Sequence, residues 1–170
     1  MAGECKIKVY ICSRKAVEKL FQNGFPENTA VISFYDPEPS FHRGSDYRPV
    51  DYSGKADRVF QIPLHDIDLS VLPEFGLTYD TYFPEADKLA EFIYSAKKDG
   101  FDLLCQCEYG ESRSSGCAAA ILEHFYKTGI TIFTDYRYYP NQVVYHKVFD
   151  ALEKYKKKNF VREDEENERK

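Results

Sequence analysis

The chain has 170 residues and a mass of 19.8 kDa, which suits one compact domain with its own core and is too short for two. A formal charge of -5 and a pI near 5.4 oppose the basic balance of a nucleic-acid binder. No apolar run reaches membrane-spanning length, and the five cysteines (Cys5, Cys12, Cys105, Cys107, Cys117) show neither zinc spacing nor a disulfide framework.

Short apolar runs alternate with helical stretches, which predicts an α/β domain with a central, mainly parallel sheet flanked by helices. Lys6 to Cys12 reads as a strand, and Ser13 as the N-cap of a short helix closed near Gly24. Ala30 to Phe34 is a second strand. From Asp36 to Asp57, Pro, Gly, Ser and charged residues predict a long surface loop of the kind that borders sites. Arg58 to Leu64 is the third strand, and His65 to Asp80 another loop. A helix is expected from Pro84 to Lys98, with Leu89, Ile93 and Ala96 on one face. Phe101 to Gln106 is a short buried strand that runs into CEYGESRSSG. Ser114 to Tyr126 is the next helix, and a last one follows Pro140 with Val144, Val148, Ala151, Leu152 and Tyr155 at helical spacing. One domain is expected over residues 1–158, followed by a charged tail over 159–170 that frays into solvent.

The chemistry concentrates in Cys107 to Arg113, a Cys-x5-Arg loop between a buried strand and a helix. Open α/β sheets place their sites beyond the carboxyl ends of strands, where this loop lies. The helix starting near Arg113 turns unsatisfied N–H groups and a positive dipole end toward the loop, which favours an oxyanion and the reactive thiolate of Cys107. Gly110 permits the backbone to turn inward. Five intervening residues let the planar fork of Arg113 come over the sulfur and hold two phosphate oxygens. Ser114 is placed to donate a hydroxyl hydrogen bond to the sulfur.

The stretch LLCQCEYGESRSS resembles the signature of the protein-tyrosine and dual-specificity phosphatases, His-Cys-x-x-Gly-x-x-Arg-Ser/Thr. The resemblance runs from about Ala30 to Tyr155. IPLHD, Ile62 to Asp66, looks like the family's strand ending in a general-acid aspartate; YFPEADKLAEFI and YYPNQVVYHKVFDAL look like the helix before the signature strand and the Pro-Asn and terminal helix of compact dual-specificity members. It implies a phosphatase-like domain, of a bacterial or other minimal kind, that hydrolyses phosphomonoesters through a phosphocysteine intermediate. Cys107 would be the nucleophile, Arg113 the phosphate clamp and Asp66 the general acid, with Glu108, Tyr109, Gly110, Glu111, Ser112 and Ser114 around the substrate.

Asp68 and Asp80 stand as rivals to Asp66, because the loop from Leu69 to Tyr82 is longer than in compact members, and His65 is a loop or lining residue. Gln106 departs from the family's histidine and carries no charge. Glu108 and Glu111 disfavour a polyanionic substrate and favour protein phosphotyrosine or another simple phosphomonoester. Cys105 and Cys117 are read as small core residues, with a protective disulfide to Cys107 as the alternative. The expected protein is a cytoplasmic monomer in a reducing setting, with no metal or other cofactor and no nucleic-acid or membrane partner. A pseudophosphatase that binds phosphopeptides, suggested by Gln106, and a rhodanese-type sulfurtransferase are the alternative functions.

Overall fold

The computed structural model describes residues 6–37 and 48–168, with side chains described as far as residue 159. Cys5, residues 38–47 of the long loop and the side chains of the tail beyond Asn159 lie outside the described residues.

Four strands form one sheet: β1 (Val9–Ser13), β2 (Thr29–Tyr35), β3 (Arg58–Pro63) and β4 (Asp102–Cys107). Their order is β1-β4-β2-β3 and every pairing is parallel. β2 and β4 occupy the middle, and both read as near-continuous apolar runs because both faces are covered. In register, Ser13 lies beside Cys107 and Ile32 beside Cys105. A wholly parallel sheet brings all its carboxyl ends to one edge. Ser13, Tyr35, Pro63 and Cys107 therefore open their loops on the same side of the molecule.

The helices are α1 (Arg14–Asn23), α2 (Tyr79–Tyr82), α3 (Ala86–Lys98), α4 (Arg113–Tyr126), α5 (Ile130–Phe133) and α6 (Gln142–Glu168). Ser13 caps α1 as predicted, its Oγ accepting from the Ala16 N–H at 3.1 Å. α3 buries Ala86, Leu89, Ala90, Ile93 and Ala96, the stripe expected from its sequence. Two short helices and a 3-10 turn (Leu72–Phe75) appear where loops were expected. Four residues are too few to show a period, and these turns are held by local caps such as the reciprocal Thr78–Thr81 pair. β4 reaches one residue further than predicted, so Cys107 is the last residue of the strand, and α4 starts at Arg113.

Alternation along β4 separates two packing clusters. Leu103, Cys105 and Cys107 join the large core under α3, α4 and α6, while Leu104 packs with Val17, Val31, Val50 and Tyr52 on the other face. α4 carries small residues from Ser114 to Ala120, which let it lie close to its neighbours. A Cβ on Gly116 would come within 2.5 Å of the Asn141 carbonyl, so the start of α6 sits hard against the first turn of α4.

The far end of α4 is fixed by buried His124. Its Nδ1 is 2.7 Å from Glu153 Oε1 on α6 and its Nε2 is 2.6 Å from Tyr94 Oη on α3. Burial pulls the His124 pKa below the ordinary histidine value, outweighing the opposite pull of Glu153. The ring is therefore neutral, with Nδ1–H donating to the carboxylate and Nε2 accepting from the tyrosine hydroxyl. In the unfolded chain the histidine takes up a proton near pH 6.5, a proton that the folded state resists, so stability is present above that pH and is lost as pH falls through it. Urea midpoints are expected to drop between pH 7.5 and 5.5, and His124→Gln is expected to flatten that part of the profile.

Candidate active site

The loop from Cys107 to Ser112 closes the gap between β4 and α4, and its shape is imposed from outside. Gly110 has φ of +69°, and a Cβ there would lie 2.6 Å from Ser13 N and 2.9 Å from the Cys12 carbonyl carbon. Only glycine fits, both for the backbone angle and for the contact with the β1–α1 junction. Arg14 N–H donates to the Glu108 carbonyl at 3.1 Å, and Arg14 Nε donates to Glu108 Oε2 at 2.8 Å. On the other side, Tyr139 N–H donates to the Glu111 carbonyl at 2.9 Å, and Asn141 N–H to the Ser112 carbonyl at 3.1 Å. Ser115 Oγ bonds both of these carbonyls. The peptide units around Cys107 are thus held on both flanks, with the N-terminus of the 14-residue helix α4 directly behind them.

Cys107 is 3% exposed, at the bottom of this loop. Its sulfur is 3.0 Å from Ser114 Oγ, as the sequence predicts. When the sulfur is a thiolate the hydroxyl is the donor, which stabilises negative charge there.

Arg113 is also buried, at 4% exposure. Its Nη1 donates to Asp36 Oδ1 and to the Leu64 carbonyl, both at 2.7 Å. Its Nε is buried with no partner among the described residues. An unmade buried bond from a charged group costs about 1–3 kcal/mol or more, so it calls for a reason. One end of the guanidinium is clamped and a donor at the other end is empty, which is the arrangement an incoming oxyanion completes.

Asp36, missed in the sequence reading, comes from the end of β2. By composition it falls in the loop from Asp36 to Asp57. The available signal was position: an aspartate directly after a central parallel strand lies on the same sheet edge as the Cys-x5-Arg loop.

Of the three candidate acids, the structure brings Asp66 to the loop and leaves the others outside. Asp66 Oδ1 accepts from Ser112 Oγ at 2.7 Å and from Asn141 Nδ2 at 3.0 Å. Asn141 also donates to the Ile67 carbonyl and caps α6, its Oδ1 accepting from Val144 N–H at 2.9 Å. Tyr82 Oη donates to the His65 carbonyl, which anchors the start of the acid loop. Asp68 and Asp80 are exposed, the first beside a turn and the second in the first turn of α2. His65 packs against Phe75, with ring centroids 5.0 Å apart.

Gln106 is fully buried and faces away from Cys107. Its Oε1 accepts from Ser33 Oγ at 2.5 Å and from Tyr52 Oη at 2.9 Å. It joins β4 to β2 and to the segment before β3, and burial raises the Tyr52 pKa well above the ordinary tyrosine value. The neighbouring Cys117 thiol and burial together hold the Cys105 thiol well above the ordinary range. Cys12, Cys105, Cys107 and Cys117 are all free.

This four-stranded parallel sheet flanked by helices is similar in fold to solved protein-tyrosine and dual-specificity phosphatases. The Cydia pomonella PTP-2 phosphatase is similar at 11% identity over 86% of each chain, with a TM-score of 0.52. A human DUSP28 variant is similar at 14% identity over 91% of this chain and 96% of that one, with a TM-score of 0.51. PTPMT1 in complex with PI(5)P is similar at 14% identity over 92% and 97%, with a TM-score of 0.50. No protein-family model and no curated protein matches the chain by sequence, and the likeness is one of fold. Among the described residues no helix is long and apolar enough to cross a membrane.

The clamp on Arg113 is open to a direct test. Asp36→Asn leaves the buried guanidinium without its counter-charge and is expected to lower stability by about 3–5 kcal/mol. Added phosphate or tungstate is expected to raise the melting temperature of this variant, because an anion bound to the folded state stabilises it. Thermal denaturation with and without the anion reads both effects.

Proposed function

We propose that the protein is a cysteine-dependent phosphatase that hydrolyses phosphomonoesters, protein phosphotyrosine first among them. The observation that carries this reading is the buried, half-satisfied Arg113 in the same loop as a Cys107 sulfur already paired with Ser114.

In the first step the Cys107 thiolate attacks phosphorus, the bond to the leaving oxygen breaks, and protonated Asp66 gives that oxygen its proton. Arg113 and the N-terminus of α4 hold the equatorial oxygens, whose charge is spread in the transition state. In the second step water attacks the phosphocysteine, Asp66 takes its proton, and the sulfur leaves as a thiolate stabilised by the Ser114 hydroxyl. Inorganic phosphate is released and the enzyme returns to its starting state. Asn141 and Ser112 keep Asp66 at the rim throughout.

The loop contains no lysine, and its Glu111 is exposed. Both features disfavour a substrate with several phosphates, such as the lipid headgroup bound in the PTPMT1 complex. Free cysteines on β1, β4 and α4 fit a reducing, cytoplasmic setting, and we take the working form to be one domain acting as a monomer.

Hydrolysis of aryl phosphates by the wild type and two variants tests the mechanism. Cys107→Ser is expected to abolish turnover while the fold persists. Asp66→Asn is expected to slow phenyl phosphate by about 10²–10⁴-fold and an activated aryl phosphate, which needs little protonation, far less. A folded wild type without turnover refutes the enzyme reading; equal losses on the two substrates refute the role of Asp66.

A further inference from the structure

Among the described residues, the large apolar side chains left exposed are not scattered. Tyr109 in the loop, Ile130 and Phe133 on α5, and Tyr136 and Tyr139 just after it account for five of the seven. Tyr136 is 90% exposed and Ile130 63%. Single exposed apolar residues need no explanation, whereas a cluster marks a contact surface.

The stretch from Ile130 to Tyr139 is tied to the loop at one end and is held in place. Tyr139 N–H bonds the Glu111 carbonyl at 2.9 Å, which joins this segment to the catalytic loop itself. Tyr138 N–H closes a turn on the Asp135 carbonyl at 3.0 Å, and the Phe133 ring packs edge-on to Tyr145 with centroids 5.2 Å apart. Arg137 is bound by both carboxylate oxygens of Asp135, so its charge is matched locally. What remains beside that ion pair is a surface of aromatic and aliphatic side chains interrupted by Thr131 and Thr134, with exposed Glu111 in the loop to which it is bonded. Such a surface suits apolar side chains and repels acidic ones and anionic headgroups.

We propose that this surface, from Tyr139 through Tyr136 to Ile130, docks the polypeptide flanking the phosphorylated residue of a protein substrate and selects apolar, non-acidic flanks. The proposal rests on the phosphatase reading and adds the substrate class. A polypeptide seated in the loop advances about 3.3 Å per residue when extended, so the residues next to the phosphorylated one meet Tyr139 first. Tyrosine rings offer large contact area at low entropic cost, and a few such residues carry most of the energy of an interface.

The double variant Ile130→Ser/Tyr136→Ser changes two exposed side chains outside the loop. It is compared with the wild type on a leucine-flanked phosphotyrosine peptide, a glutamate-flanked one and a small aryl phosphate. Affinity is also measured for the leucine-flanked peptide carrying a non-hydrolysable phosphonate. The wild type is expected to prefer the leucine-flanked peptide. The variant is expected to lose about tenfold in kcat/KM on it, through KM, and as much in phosphonate affinity, with aryl phosphate hydrolysis unchanged. Unchanged peptide kinetics and phosphonate affinity overturn the proposal. So does a variant that loses instead its binding to phosphatidylserine vesicles or its self-association, since the surface then serves a membrane or a second copy. A wild type inactive on every phosphate refutes the phosphatase reading, and the phosphonate affinity still decides the docking surface.

Discussion

The site is organised around a buried arginine. Arg113 sits at the N-terminal end of α4, where the helix dipole already supplies positive charge, and burial adds the cost of desolvating the guanidinium. That charge is tolerable because Asp36 and the Leu64 carbonyl neutralise and solvate one nitrogen. Asp36 follows β2 and Leu64 follows β3, so the clamp exists only if both strands run parallel to β4 and end at the same edge. A sheet with one strand reversed would carry one of these partners to the opposite end of the molecule. Nε then has a fixed direction and, among the described residues, no partner.

The same edge is cross-linked by residues that serve two elements at once. Asn141 caps α6, bonds the acid loop through Asp66 and Ile67, and bonds the Ser112 carbonyl through its own N–H. Gly116 lets it approach, and Gly110 lets the other side of the loop approach β1. Arg14 absorbs the charge of Glu108, so one of the two loop carboxylates is matched before any anion arrives. Position and electrostatics are therefore set by the same contacts, and a change in either strand–loop junction would disturb both.

Gln106 stands apart from this edge network. It directly precedes Cys107 in sequence, where the resembled family has histidine. Alternation along β4 turns it to the opposite face, where it accepts from two buried hydroxyls and ties Tyr52 to the sheet. Its effect on Cys107 runs through the backbone of β4. A glutamine there is a buried polar group whose oxygen accepts from both Ser33 and Tyr52.

Much of this was legible in the chain of residues. Runs such as AVISF and FDLLC, the stripe on α3 and the cap at Ser13 are local patterns, and locality is what a sequence records. CEYGESR gave the loop residues and the Cys107–Ser114 contact for the same reason, since strand end, glycine, arginine and helix start are consecutive. Tertiary structure alone decided the pairings across long separations: Asp36 with Arg113, Asp66 rather than Asp68 or Asp80 at the loop, Glu108 with Arg14, and the Tyr136–Tyr139 segment beside Glu111. Each depends on which strand ends share an edge and which face a side chain takes, and no local pattern encodes either. By itself the sequence determined that a Cys-x5-Arg loop joins a buried strand to a helix; the parallel sheet decided which acids surround it, because it is the sheet that brings their loops together.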